Sequence, residues 1–350
     1  MTMCAHFGSC GGCTLQNLSA DAYRARKRGM VVAALNQAGL ADVVVEEPVL
    51  VPERTRRRAV FKLAKENGQI MVGFHAARSH VIVDMRDCVV LTPALLELTG
   101  DLRRALAPVL SEGEKAEVHA TQTETGFDLA FRSPRKLTPA LTAQIAGALG
   151  GKSARIVFNG DILSEQQPPQ IGIDDINVSP PPYVFLQATR EGEMALQAHV
   201  LALTNGAKNI ADLFAGLGTF ALPMARRAKV HAVEQEPQAL AALAEAARNA
   251  KGLKPITTER RDLFKLPLSG LELNRFDAVV LDPPRAGAEA QTKALAASKV
   301  KTVAYVSCDA VSFARDAVIL AEAGFRIGPI TPVDQFLYSD HIELVGGFTR

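Results

Sequence analysis

Between Asn209 and Val306, short apolar runs alternate with alanine-rich helical stretches; the runs are Asn209 to Phe214, Lys229 to Val233, Phe276 to Leu281 and Val300 to Val306. Such an alternation buries its apolar surface as a mostly parallel sheet with helices on both faces. The C-terminal half is therefore expected to be an α/β, doubly wound domain of Rossmann-like type. From Val43 to about Pro182 the pattern differs. Val43–Val45, Ala59–Leu63 and Met71–Phe74 look like strands, as do Glu117 to Thr123 and Phe127 to Phe131, with Glu124-Thr125-Gly126 as a hairpin turn. A helical stretch around Thr92 to Leu106 interrupts them. Ser179-Pro180-Pro181-Pro182 fits neither a helix nor a central strand and marks a boundary. The expected division is an α+β body over 1–183, with a cysteine-rich start over 1–16 and a β-rich part over 43–182, followed by the α/β body over 184–350.

At 48% hydrophobic and 22% charged residues, the chain is neither a disordered tail nor a low-complexity filament. Lys plus Arg is 39 and Asp plus Glu is 37, so net charge alone points to no polyanionic partner. Met1 to Gln16 lacks the basic and apolar regions of a signal peptide, and no apolar run approaches the ~18 residues of a membrane span. A soluble, cytoplasmic, monomeric protein without a membrane partner is expected. In that compartment thiols stay reduced, so its 5 cysteines read as metal ligands or nucleophiles.

Ile210 to Phe220 runs from an apolar strand through Gly216 and Gly218 into a helix. Glycines there permit a tight turn and a close approach to a ligand at the carboxyl edge of the sheet. Gly216, Gly218 and Ala221 also satisfy the dinucleotide pattern G-x-G-x-x-A, which leaves an NAD enzyme open. Glu234, ending the next strand, suits the ribose hydroxyls of NAD or of S-adenosylmethionine. Asp282-Pro283-Pro284-Arg285 favours the latter. Its prolines rigidify a strand-end loop where substrate meets cofactor in base methyltransferases, and hydride transfer has no use for it. Cys308, ending the next strand, lies at the same edge. A thiolate adding to carbon 6 of uracil makes carbon 5 nucleophilic enough to take a methyl group. Arg285 is placed to stabilise the enolate oxygen, and Glu343 in His341-Ile342-Glu343 is the candidate base. An outward-facing Glu343 on an alternating strand fits the pattern equally well.

Phe185-Leu186-Gln187, Asp212 to Phe220, Glu234, Asp282 to Arg285, Ser307-Cys308 with Ala314-Arg315-Asp316, and His341-Ile342-Glu343 together resemble the bacterial RNA 5-methyluridine methyltransferases. The resemblance implies an S-adenosylmethionine-dependent enzyme. Gln187, Phe214, Thr219, Glu234 and Asp282 would line the donor site, with Asp262 near the adenine. Cys308 would be the nucleophile and Glu343 the proton acceptor. The chain departs from the family's usual residues at Thr189, Asp309, Ala310 and Leu337.

Cys4, Cys10 and Cys13, with Cys88 as a fourth thiolate, suit a [4Fe-4S] cluster or a tetrahedral zinc. Spacing leans slightly to zinc; the resemblance leans to the iron–sulfur cluster carried by ribosomal-RNA members. With Cys4 so near the start, the chain resembles the short type that lacks an N-terminal β-barrel RNA-binding domain and acts on 23S rRNA. The same chemistry on the tRNA T-loop is the alternative; a non-catalytic iron–sulfur RNA-binding protein is a rival of another class. Two basic runs, Arg24, Arg26, Lys27 and Arg28, then Arg54, Arg56, Arg57, Arg58 and Lys62, are candidate RNA contacts or solvated faces.

Overall fold

The computed structural model describes residues 3–350. Its elements begin with α1 (Ala20–Gln37), β1 (Val49–Leu50), β2 (Arg58–Glu66), β3 (Gln69–His75), β4 (Ile82–Asp84), α2 (Pro93–Leu106), β5 (Lys115–Thr123) and β6 (Gly126–Arg132). Next come α3 (Pro139–Leu149), β7 (Ser153–Phe158), β8 (Asp161–Glu165), β9 (Ile171–Ile173) and β10 (Ile176–Val178). The C-terminal part runs α4 (Arg190–Leu203), β11 (Asn209–Leu213), α5 (Ala221–Met224), β12 (Lys229–Glu234), α6 (Pro237–Asn249), β13 (Ile256–Arg260) and α7 (Gly270–Leu273). It ends with β14 (Ala278–Leu281), α8 (Glu289–Ala296), β15 (Thr302–Ser307), α9 (Ala310–Glu322), β16 (Arg326–Asp334) and β17 (Glu343–Thr349).

The C-terminal sheet has the order β1-β16-β17-β15-β14-β11-β12-β13. β15, β14, β11, β12 and β13 are mutually parallel, while β17 is antiparallel to both its neighbours. The carboxyl ends of β11, β12, β14 and β15 therefore open on one edge. There β17 contributes its first residue, Glu343, because it runs the other way. β14 is buried at every position, as a parallel strand covered by helices on both faces must be.

The N-terminal sheet has the order β4-β3-β2-β5-β6-β7-β8. Along β2, buried Ala59, Phe61 and Leu63 alternate with less buried Val60 and Lys62, so one face builds the core beneath α2 and the other stays open. The hairpin and the helix expected here are present, with Thr92 capping α2.

The structure departs from the expected division at residue 183. Val31, Ala34 and Leu35 of α1 pack with Phe313 and Ala317 of α9, and β1 pairs with β16. The β9–β10 hairpin also joins the C-terminal core, through Ile171, Ile173 and Val178. Val43–Val45 forms no strand; Val44 and Glu46 exchange backbone hydrogen bonds with Ile330 instead. Sheet pairing across nearly the whole chain length is invisible to local periodicity.

Candidate active site

The turn after β11 is built by backbone conformation. Phe214 and Gly216 have φ of 64° and 53°, and Gly218 has φ of 90°. A Cβ at Gly216 would meet nothing within 4 Å, so that position is open to a ligand. Gly218 has a different job: a Cβ there would stand 2.4 Å from Leu243 Cδ1, so glycine lets α6 pack closely. Glu234 is locked beside the turn. Its Oε2 accepts from Gly216 N at 2.9 Å, and its Oε1 accepts from Gln235 N at 2.7 Å and Glu236 N at 2.9 Å.

A cavity of about 530 Å³ opens on this edge, lined by Gln187, Phe214, Gly216, Thr219, Glu234, Asp282, Arg285, Cys308 and Glu343. A chain of amides ties its parts together: Gln335 Nε2 donates to Gln187 Oε1, and Gln187 Nε2 donates to Asp282 Oδ2 at 3.4 Å. Gln335 Oε1 also accepts from Ala188 N at 2.8 Å. Glu343 is buried, and its Oε2 has no hydrogen-bond partner among the described residues.

Burial dominates the electrostatics of the site. Burial raises the Asp282 carboxyl to about 7. Burial, then the Asp282 charge, raises Glu343 to about 8, with Gln335 pulling slightly the other way. Burial, then the charges of Glu343 and Asp282, pushes the Cys308 thiol to about 11. Behind the turn, burial and Asp282 hold the Asp212 carboxyl well above its ordinary value. A positively charged ligand would oppose the charge contribution at Glu343, Cys308 and Asp212 and favour their ionised forms.

Two of the expected residues stand apart from the cavity wall. Gly218 serves packing, as above. Asp262 turns back on its own loop, accepting from Phe264 N at 3.1 Å and pairing with Lys265 at 2.9 Å, and Phe264 takes its place at the wall. Arg285 reaches the cavity, but its Nε donates to Asp309 Oδ2 at 3.2 Å. Asp309 also caps α9 by accepting from Val311 N and Ser312 N, which accounts for a carboxylate at this departure from the family pattern. Gln335 and Asp212 escaped the sequence reading as site residues. Asp212 sat within a quoted motif, whereas Gln335 carries no local signal.

A second cavity, of about 570 Å³, is lined by Cys4, Cys10, Cys13, Cys88 and Arg56. Burial raises the Cys10, Cys88 and Cys13 thiols, Cys13 to about 11, with the neighbouring cysteines adding to each shift. Among the described residues, no three His, Cys, Asp or Glu side chains are arranged to hold one metal ion.

Much of the two basic runs serves the fold. Lys27 is fully buried, pairs with Asp334 at 2.9 Å, and donates to the carbonyls of Phe336, Ser339 and His341. Arg57 pairs with Glu193 at 2.8 Å, and Arg58 donates to Leu186 O, holding the irregular segment that carries Gln187.

The profile of the tRNA (uracil-5-)-methyltransferase family matches residues 150–348. The chain belongs to this family. It is an S-adenosylmethionine-dependent RNA uracil-5-methyltransferase. The methyltransferase is 45% identical to an uncharacterised RNA methyltransferase from Rhizobium meliloti, over 98% of this chain and 84% of that one. It is 32% identical to the 23S rRNA (uracil(1939)-C(5))-methyltransferase of Chromohalobacter salexigens, over 99% of this chain and 76% of that one. Its fold matches that of Pyrococcus abyssi tRNA (uracil-54, C5)-methyltransferase solved with S-adenosyl-L-homocysteine, at TM-score 0.76 and 23% identity, covering 98% and 86% of the two chains. No helix among the described residues is long and apolar enough to cross a membrane.

Proposed function

We propose that the methyltransferase modifies a uridine of 23S rRNA through a covalent adduct on Cys308. The observation that carries the chemistry is that a thiol, two carboxyls of raised pKa and the ligand-binding glycine turn share one cavity. S-adenosylmethionine supplies an electrophilic methyl on a sulfonium. Glu234 suits its ribose, the open Gly216 turn its close approach, and Phe214 with Phe264, rings 5.5 Å apart, its adenine. The acidic lining suits its positive charge.

Cys308 Sγ, as thiolate, bonds to carbon 6 of the flipped-out uracil, and the ring electrons move onto carbon 5 and the carbonyl oxygen. Carbon 5 would then take the methyl group from the sulfonium as its S–CH3 bond breaks, leaving S-adenosylhomocysteine as a neutral thioether. Glu343 removes the carbon-5 proton, and the returning electrons expel Cys308 as thiolate. Arg285, at the rim, can release Asp309 to approach the enolate oxygen. A cation bound beside Asp282 favours ionised Glu343 and Cys308, which prepares both groups when the donor is present.

The four N-terminal cysteines are proposed to hold a [4Fe-4S] cluster. Four thiolates lining one cavity suit the four irons of a cluster. The half-buried Arg56, lining the same cavity as the thiols, would offset cluster charge. The 23S assignment draws on the 32% identical ribosomal relative. Mass-spectrometric mapping of 5-methyluridine in rRNA and tRNA from a deletion strain tests it: a 23S position should lose its methyl group. Loss confined to the tRNA T-loop would transfer the enzyme to tRNA.

A further inference from the structure

The open face of the N-terminal sheet carries a ladder of side chains directly opposite one another. Lys62 of β2 lies beside Glu117 of β5, which lies beside Arg132 of β6. Lys62 sits between buried Phe61 and Leu63, so it points away from the core. With Lys115, His75 and His80, these residues line an open groove of about 810 Å³. Its charge is lopsided. Among the described residues Glu117 is the groove's only acid, and Lys62, His119 and Arg132 all lie within salt-bridge range of it. Lys115 has no ion pair among the described residues and remains available to an external anion.

One end of this groove is Tyr183, and Tyr183 also lines the catalytic cavity. Its backbone has φ of 63°, a conformation unfavourable for a non-glycine residue. The ring is fixed from three sides. Its hydroxyl donates to Phe131 O at 2.8 Å, the Arg132 guanidinium stands 4.5 Å from its centroid, and His119 meets it edge-on at 5.2 Å. Just beyond, Phe185 is 61% exposed at the cavity, with Arg58 4.9 Å from its ring centroid. Cations along a sheet face, followed by rigid aromatics at the mouth of a base-sized cavity, form a surface for single-stranded RNA: phosphates meet the cations and a base stacks on the ring.

We propose that this sheet face is the track on which the substrate RNA lies, single-stranded as it passes Tyr183 to deliver its uridine to Cys308. The proposal rests on the RNA-methyltransferase reading. It draws on Lys62 from the basic runs conspicuous in the sequence and leaves aside Lys27 and Arg57, which are paired within the fold.

The test uses the full chain and a fluorescein-labelled oligouridylate, with anisotropy read from about 50 mM to about 200 mM salt. Lys115→Glu should weaken binding about 10-fold at the lower salt and make the dependence on log salt shallower by about 1. Tyr183→Ala should weaken binding about 5- to 100-fold with the salt slope unchanged, and Tyr183→Phe should restore most of it. Lys299→Glu, in the loop before the amino end of β15, should bind as wild type. Titration with S-adenosylhomocysteine should give wild-type affinity for Lys115→Glu, Tyr183→Phe and Lys299→Glu, showing that the cofactor cavity is intact. If Lys115→Glu and Tyr183→Ala bind RNA like wild type while wild type methylates RNA, the track is wrong and the enzymatic reading stands. If wild type neither binds nor methylates RNA, both fall.

Discussion

The catalytic and cysteine cavities are close in volume, about 530 and 570 Å³, and each holds a thiol raised to about 11. They are built in opposite ways. The catalytic cavity is set by strand ends of a buried sheet, with Gln335, Gln187 and Asp282 linked side chain to side chain. The cysteine cavity is closed by an irregular N-terminal segment whose sulfurs have sparse partners: Gly12 N donates to Cys10 Sγ at 3.4 Å, and Cys4 Sγ lies 3.8 Å from Asp87 O. One site is preorganised before its ligand arrives; the other has thiols gathered around a space. Burial is the first cause of the raised values in both places; around Cys308 neighbouring carboxylates add to it, whereas around Cys13 other thiols do.

The loop between β16 and β17 joins the two. Gln335 faces the catalytic side, while Leu337, at a departure from the family pattern, lines the cysteine cavity. Thr14 N and Leu15 N donate to Tyr338 O at 2.6 and 2.9 Å, and Lys27 holds three carbonyls of the same loop. The N-terminal segment is thus fastened to the strand that presents Glu343.

The largest expected effect would break the cysteine side of the comparison. Anaerobically purified wild type should be brown with broad visible absorption and bound iron, and Cys88→Ser should lose both. Colourless wild type with stoichiometric zinc would overturn the cluster. Next comes the fastening between the cavities. Lys27→Met leaves Asp334 charged and buried and should cost about 3–5 kcal/mol of stability, read by denaturant unfolding, with Lys27→Met/Asp334→Asn recovering part of it. A change below about 1 kcal/mol would show that the pair does not fasten the loop.

The smallest effect sharpens the catalytic side. The folded state holds Glu343 near 8, above its ordinary 4.5, so it favours the neutral form. That contribution is fully present below the ordinary pKa and is lost as pH rises through about 8. Glu343→Gln cannot ionise. Its melting temperature should therefore gain on wild type by a few degrees between about pH 5 and pH 8, then keep a constant lead. A difference independent of pH would mean that Glu343 is not held neutral.

What was legible in the sequence follows a physical line. Gly216, Glu234, Asp282 and Cys308 announce themselves because strand-end chemistry is local: an apolar run, then a turn, then a reactive residue. Glu343 had an equally good reading as a surface residue, and only the antiparallel course of β17 buries it at the cavity. Lys27 looked like part of a solvated basic face, because its partner Asp334 lies at the far end of the chain. Gln335 and the membership of α1 and β1 in the C-terminal body were hidden for the same reason. Asp262, a polar residue after a strand, caps its own loop, a local contact that spacing does not reveal.

Covalent trapping tests the central claim most directly. Glu343→Gln, incubated with its RNA substrate and S-adenosylmethionine, should stall after methyl transfer and give a protein–RNA band on denaturing electrophoresis. Glu343→Gln/Cys308→Ala should give none. Absence of the band in the single variant would contradict Glu343 as the base, and its persistence in the double variant would remove Cys308 as the nucleophile.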